Sequence, residues 1–376
     1  MLNFSEYSLN DQLLLGAFVV LGLIQFAYLG FILIRISLYK TPPLTEDCPP
    51  VSVVICARNE EKNLRELVPL LMDQDYPEFE LVVVNDASWD DTAETLEAFQ
   101  VAFPRLHVVN IDENKQIMAG KKFALTLGIK GAKNEHLLMT DADCRPRTKQ
   151  WIRHMMAGFT DEKSIVLGVS PYKVSKGPLN WLIRSDAFQI MLMYVGAARM
   201  GMPYMGVGRN LAYRKEQFFA VSGFKSHYSI QSGDDDLFIR DAANKTNTTV
   251  VLEPDSIMVS EAKTTFGDWV KQKRRHVTTA PHYKIKHKIL LSLWPLSWLG
   301  MLGLAACLIS FNIGTLAVLI ALGVRWLGQI LIFSHSSNKL GLKGVGWTSP
   351  VSELLLILTS GIVGVANVFN KPKKWM

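Results

Sequence analysis

The sequence predicts an α/β domain, a mixed, mostly parallel sheet with helices on both faces, joined to about four transmembrane helices. Three observations predict it. Short β-branched runs alternate with segments of helical period, which argues a sheet layered between helices. Four apolar stretches reach the ~20 residues that span hydrocarbon. Acidic and amide residues recur where buried runs end, and ligands of such sheets bind at the carboxyl ends of strands.

The first apolar stretch, Leu13 to Ile34, carries polar atoms only at Gln25 and Tyr28. No basic residue precedes it, and Arg35 and Lys40 follow, a pattern of a retained anchor rather than a cleaved signal. Thr41-Pro42-Pro43 and Pro49-Pro50 then mark a linker. Val51 to Ile55 reads as a strand buried on both faces. Leu64, Leu67, Val68 and Leu71 give the next helix its apolar stripe. Leu81 to Val84 is a second buried strand, ending in Asn85-Asp86-Ala87-Ser88. Asp90 or Asp91 caps a helix whose inner face carries Leu96, Phe99 and Phe103. Leu106 to Val109 is a third strand and Lys121 to Ile129 a helix. The later apolar stretches are Ile289 to Phe311, Ile313 to Phe333 and Val351 to Phe369. The expected division is an anchor over 1–40, an aqueous domain with a basic juxtamembrane segment over 41–288, and a membrane region over 289–376.

Charge gives an orientation. Glu6 and Asp11 precede the first span; Arg35 and Lys40 follow it. Lys271, Lys273, Arg274, Arg275, Lys284, Lys286 and Lys288 precede the second. The positive-inside tendency puts the large domain in the cytoplasm, and the expected setting is a bacterial inner membrane. One conflict stands. Three C-terminal spans put Lys371-Pro372-Lys373-Lys374 outside, so either one stretch does not cross or the tail is an exception. Arg325 inside the third stretch is costly in lipid and is expected to face protein or a water-filled cavity. Trp269, Trp294 and Trp298 flank the second span and suit an interfacial belt.

Several functions are disfavoured. The net charge of +6 reflects basic residues beside the membrane, where they meet anionic headgroups, and does not indicate nucleic acid. The four cysteines are scattered and the eight histidines form no H-E-x-x-H pair, so neither a disulfide framework nor a zinc hydrolase is supported. Gly206-Val207-Gly208-Arg209-Asn210-Leu211 lacks the third glycine of the dinucleotide fingerprint, and Gly120-Lys121-Lys122 lacks the rest of a P-loop.

Asp141-Ala142-Asp143 follows the apolar run Glu135 to Thr140. If the strand continues, both carboxylates project from one side and suit a hard divalent cation, Mg²⁺ or Mn²⁺. The plain alternative is a pair of polar turn residues.

With these segments in hand, the chain resembles the family 2 glycosyltransferases from about Val51 to His276. The matching pieces, in order, are Val51 to Glu60 with its Arg58-Asn59-Glu60 turn, Val84-Asn85-Asp86-Ala87-Ser88-Trp89-Asp90-Asp91-Thr92, Gly120-Lys121-Lys122-Phe123-Ala124-Leu125, Asp141-Ala142-Asp143 and Gly233-Asp234-Asp235-Asp236-Leu237. The resemblance implies a nucleotide-sugar-binding, GT-A-like fold. It implies that Arg58, Glu60 and Asp86 meet the nucleotide, with Glu60 and Asp86 bonding its uracil or ribose, and that Lys121 approaches the diphosphate. Asp143 is then the direct metal ligand, with Asp141 beside it and nearer the ribose. Counting back from Leu237 makes Asp234 the catalytic base; counting the acidic dipeptide makes it Asp235. Gly208, Asn210 and Asp236 fall on the acceptor side, as does Ser222-Gly223-Phe224 by its likeness to a G-G-F turn. Gln272 and Arg275 match the Q-x-x-R-W motif of cellulose, chitin and hyaluronan synthases, where they would help hold the diphosphate. His276 replaces the tryptophan, on the acceptor side, which puts processive polymer synthesis in doubt.

The resulting expectation is a membrane-anchored, metal-dependent, inverting enzyme. It moves a sugar from a UDP-linked donor to a lipid-linked or polysaccharide acceptor at the bilayer, with no nucleic-acid partner. Two alternatives stand beside it: a non-catalytic membrane scaffold that binds nucleotide, and nucleotidyl transfer on a similar fold.

Overall fold

The computed structural model describes residues 7–41, 44, 47–112, 120–230 and 232–369. Glu6, Pro42, Pro43 and the Lys371–Lys374 tail, used above in reading the linker and the orientation, lie outside them. The chain opens with helix α1, Leu9–Ala27, capped by a reciprocal pair in which the Ser8 hydroxyl accepts from the Asp11 amide at 3.2 Å and the Asp11 carboxylate accepts from the Ser8 amide at 3.1 Å. A π turn, Tyr28–Ile32, and a 3₁₀ turn, Leu33–Arg35, continue it. The α/β part follows as β1 (Val51–Ala57), α2 (Glu61–Met72), β2 (Phe79–Asp86), α3 (Thr92–Ala102), β3 (Leu106–Ile111), α4 (Lys121–Gly131), β4 (His136–Met139), β5 (Cys144–Pro146), α5 (Trp151–Met156) and β6 (Ile165–Leu167). Then come α6 (Pro178–Arg199), β7 (Leu211–Arg214), α7 (Lys215–Ala220), α8 (Asp236–Ala242), β8 (Thr248–Val250), β9 (Met258–Ser260) and α9 (Phe266–Val277). The chain ends in α10 (Ile285–Ser310), α11 (Thr315–Lys339) and α12 (Ser349–Phe369).

The main sheet has the order β3-β2-β1-β4-β7-β6-β8. β3, β2, β1 and β4 are mutually parallel, β7 is antiparallel to β4 and β6, and β8 is parallel to β6. The mixed, mostly parallel prediction therefore holds. β1 and β2 are almost wholly buried, as continuous β-branched runs between helical layers should be. Leu64, Leu67, Val68 and Leu71 seal one face, and Ile129 and Leu125 pack on the other. Asp90, not Asp91, serves the start of α3, its carboxylate accepting from the Thr92 amide at 3.1 Å.

Among the described residues, four helices are long and apolar enough to cross a membrane: Leu9–Arg35, α10, α11 and Ser349–Asn367 of α12. The aqueous part docks tightly on them. A side chain at Gly196 of α6 would come within 2.3 Å of the Ile32 carbonyl, so only glycine permits that approach. Tyr39 donates to Glu253 at 2.8 Å, and Arg147 to the Leu340 carbonyl at 2.9 Å.

Arg325 is fully buried among these helices. Its guanidinium lies 2.8 Å and 2.9 Å from the two carboxylate oxygens of Glu353 on α12, and donates at 2.8 Å to Gln25 on α1. Trp298 of α10 covers its face at 3.7 Å. The Gln25 amide donates in turn to the Trp294 carbonyl and Ser297 hydroxyl at 2.8 and 2.7 Å. One charge thus ties four helices together, and its cost in lipid is met by a paired, hydrogen-bonded partner. The expected aromatic belt is corrected here. Trp298 is buried on Arg325, Trp294 is buried beside Tyr28, and Trp269 is buried against Ile183 and Leu356; none lies at a free interface.

Removing one member of a buried pair strands its partner's charge, at about 3–5 kcal/mol. Arg325→Met is expected to lower the melting temperature of the detergent-solubilised protein sharply, and adding Glu353→Gln to recover part of the loss. A double variant no more stable than the single one would contradict this.

Candidate functional site

The site is built at the carboxyl edge of β1, β2 and β4. After β1, Asn59 adopts a left-handed backbone (φ 56°), a conformation asparagine tolerates better than most residues. Its amide donates to Ser88 at 3.0 Å, and its side chain accepts from the Trp89 amide at 2.9 Å. The Glu60 amide donates to Thr92 at 3.0 Å. The β1 and β2 loops are thereby laced together. Arg58 stacks over Trp89 at 5.6 Å, and Trp89 is 74% exposed at the rim. Asp86, the last residue of β2, is buried.

Asp141-Ala142-Asp143 is a turn, closed by a hydrogen bond from the Cys144 amide to the Asp141 carbonyl at 3.2 Å. This corrects the expectation of a continuing strand, so strand alternation is not what brings the carboxylates together; the turn does. Asp141 raises the Asp143 carboxyl's affinity for protons, after burial, which is the larger cause. Burial likewise raises Glu60, opposed by an Asn63 hydrogen bond and reinforced by Asp143 and Asp141.

Gly120 precedes α4 with φ 135°, open essentially to glycine alone, and so aims Lys121 into the cleft. The Lys121 ammonium lies 2.8 Å from Asp141 and 2.9 Å from Asp234. It bridges the loop after β4 to the acidic run before α8. Burial opposes its charge, but Asp141 and Asp234 hold it firmly protonated. Lys121 reciprocally outweighs burial at Asp234 and keeps that carboxylate below its ordinary range. Asp235 differs: burial, Asp234 and Asp236 push it up to about 7. Its oxygens accept from the Gly208 amide at 2.8 Å and the Asp236 amide at 2.7 Å. The convergence is visible at Cys56, a half-buried residue whose thiol feels Lys121, Asp234, Asp141 and Asp86 together.

Helix α9 brings His276 into the field of Asp234 and Gln272 to Tyr172; Arg275 lies beside His276. Gln272 reaches the Tyr172 hydroxyl at 3.4 Å, and Arg209 stacks over the same ring at 4.6 Å. The surrounding protein, with Arg275, Arg209 and Lys273, lowers His276 to about 3 despite the field of Asp234, so its imidazole is neutral.

Two expected acceptor-side residues are corrected. Asn210 is completely buried. Its carbonyl accepts from Trp151 at 3.0 Å, and its amide donates to the Val169 and Ser256 carbonyls at 2.9 and 2.8 Å. Both amide protons and the oxygen are engaged in fastening the core. Asp236 is also buried, accepting from Thr279 at 2.5 Å and Tyr283 at 2.6 Å, which anchors the segment leaving α9. The Gly223 turn is backbone architecture, with φ 61° and Phe218 packed against it.

Two residues went unassigned in the sequence. Arg209 sits between two quoted motif residues, and its charge favours an ionised Asp143. Lys122 is buried and donates to the His227 and Ile230 carbonyls at 2.6 and 2.8 Å. Burial lowers it to about 8. It steadies the approach to Asp234, and only the doubled lysine hinted at it.

The Asp235 shift has a sign. A carboxyl whose folded pKa exceeds its unfolded value of ~3.9 adds stability below that value, and the contribution is lost as pH rises through about 7. Without ligands, Asp235→Asn is expected to gain melting temperature relative to the native chain as pH rises from 4 to 7. A constant difference across that window would contradict it.

Comparison with known proteins fits this geometry. Residues 52–221 match Glycosyl transferase family 2. Glycosyltransferase AglE of Haloferax volcanii is 32% identical over 111 residues, 29% of this chain and 35% of that protein. 4,4'-Diaponeurosporenoate glycosyltransferase of Staphylococcus haemolyticus is 27% identical over 188 residues, 48% of each. The chain thus spans half or less of the length of these curated relatives. The mannosyltransferase PcManGT of Pyrobaculum calidifontis, solved with GDP-Man and Mn²⁺, superposes with a TM-score of 0.62 at 17% identity, covering 96% of this chain and 99% of that one. It shares the fold. The match covers the strands and helices that build the parallel-sheet edge of the cleft, and the conclusion is confined to them: residues 52–221 are a Glycosyl transferase family 2 domain.

Proposed function

We propose that this protein transfers a sugar, with inversion, from a nucleoside diphosphate sugar to an acceptor at the membrane. The observation that carries the proposal is the Lys121 bridge between Asp141 and Asp234, which unites the donor-side and base-side motifs in one cleft.

The donor's nucleotide would lie along the β1 and β2 ends, between Glu60 and Asp86, with Arg58 and Trp89 at the rim. The uridine preference rests on the family resemblance of the Asn85-Asp86 segment. Asp143, with Asp141, would hold Mg²⁺ or Mn²⁺. The residues fit such an ion. Burial raises the proton affinity of Asp143 and Glu60, and the neighbouring carboxylates add to it, so a cation between them would be favoured. Among the described residues, no three His, Cys, Asp or Glu side chains form a complete cage; such ions are often held by one or two carboxylates plus substrate phosphates. The ion when bound would neutralise the leaving diphosphate.

Lys121 would turn from Asp234 to the diphosphate when donor binds, and Gln272 and Arg275 would close over it. Asp234, released from its lysine, would regain proton affinity, because burial is then opposed only by a backbone hydrogen bond and Lys122. It would take the acceptor hydroxyl's proton as that oxygen attacks the anomeric carbon. Asp235, committed to two backbone amides, would position the Gly208 loop and α8. The membrane-facing setting of α9 and the apolar helices favour an acceptor carried in the bilayer, with the domain in the cytoplasm.

With Mn²⁺, membrane lipid extract and a panel of UDP- and GDP-sugars, the protein should release a nucleoside diphosphate. Absence of release with every donor would defeat the proposal, and pyrophosphate as the product would indicate nucleotidyl transfer. Asp143→Asn should abolish metal-dependent release while melting normally. Asp234→Asn should lose on the order of 10²–10⁴-fold in kcat while still binding donor; near-native turnover in either variant would overturn its assigned role.

A further inference from the structure

We propose that α12 does not cross the membrane but lies along it, in the leaflet facing the aqueous domain, so that only α1, α10 and α11 span. A 21-residue helix is about 31 Å long. Crossing would put its two ends on opposite faces of the bilayer. Both ends are instead held by the aqueous domain. At the start, Trp181 of α6 donates to Thr348 at 2.9 Å, and Gln189 of α6 reaches Ser352 at 3.4 Å. Midway, Leu356 packs with Ile183 of α6 and Trp269 of α9. At the far end, Asn367 and Arg274 of α9 exchange two hydrogen bonds, at 2.8 and 2.9 Å.

Helix α9 cannot be in hydrocarbon. It bears Lys271, Lys273, Arg274 and Arg275 within one turn and a half, and Lys273 pairs with Asp186 of α6 at 2.5 Å. Glu353 in its second turn reaches Arg325 of α11, yet the helix stays on α6 and α9 from its first turn to its last and therefore runs beside the domain. Its opposite face is a stripe of exposed Val351, Leu355, Leu358, Ile362, Val365 and Phe369. These recur at alternating spacings of four and three, one continuous apolar face. The occupant that fits is the acyl-chain layer of the near leaflet, as for other interfacial helices with one strongly apolar side. The arrangement also removes the conflict in the charge pattern, because α12 then ends on the same side as the basic segment before α10. Resting on the transferase reading, it places lipid one helix away from the cleft, within reach of a lipid-borne acceptor.

The test is depth. In the full chain, with its four cysteines replaced by alanine and reconstituted in phosphatidylcholine–phosphatidylglycerol vesicles, spin labels are placed at Val351→Cys, Leu358→Cys and Val365→Cys. A helix along the surface gives three depths within about 10 Å; a crossing helix separates the first and last by about 21 Å, at 1.5 Å per residue. A second readout needs no cysteine-free chain and no activity. An epitope appended after Met376 should be reached by antibody only in sealed vesicles whose aqueous domain faces outward. Depths spread beyond half the crossing value, or an epitope on the face opposite the domain, would overturn the proposal. Since neither readout involves turnover, failure of the transferase reading would leave them unchanged.

Discussion

A single ammonium group organises the cleft. Lys121 lies within ion-pair distance of Asp141 and Asp234, residues far apart in sequence and carried by different elements. Without that cation, Asp141, Asp143, Glu60, Asp234 and Asp235 would face one another in a half-desolvated pocket, and like charges so placed raise one another's proton affinity. The backbone is arranged to deliver it. Gly120 takes a conformation closed to other residues, and Lys122, next in line, is buried on the carbonyls of the segment leading to Asp234. A site that uses a lysine to hold carboxylates together at rest is suited to a ligand that brings its own negative charge and a metal, because both partners of the lysine then acquire new ones.

The membrane half obeys the same rule with the signs reversed. There a single guanidinium, Arg325, is surrounded by neutral and acidic partners from other helices. The sequence already led to the expectation that Arg325 faces protein or a water-filled cavity, since isolated charge is costly in hydrocarbon. It did not identify Gln25 or Glu353 as the answer, because nothing in the spacing of three distant residues records which helices touch.

What was legible followed from periodicity. β1, β2 and the stripe of α2 are long, uniform signals, and their ends announced the cleft. β6 and β8 of the main sheet, and β5 and β9, which pair in a separate two-stranded sheet, have three residues each, too few to show a period, and the antiparallel β7 has only four, so these strands were unreadable. The 22-residue helix α6 was missed as well; its buried residues surround it on several sides, which blurs an amphipathic stripe. Within the cleft, Asp86, Asp141 and Asp143 were found because they follow buried strands, and Asp234 and Asp235 by their likeness to a family motif. Asn210 was misplaced for the opposite reason. It lies in a motif-like stretch beside Gly208, whose amide meets Asp235, yet its own side chain turns inward to Trp151, Val169 and Ser256. Sequence neighbours at a turn can serve different masters, and only burial separates them.

The central claim is that these carboxylates form one cleft for a cation-bridged nucleoside diphosphate. Counting tightly bound Mn²⁺ by electron paramagnetic resonance tests it most directly. The account predicts about one ion per chain when nucleoside diphosphate is present, weak binding when it is absent, and no tight ion in Asp143→Asn under either condition. Tight Mn²⁺ that is indifferent both to the nucleotide and to Asp143 would contradict it.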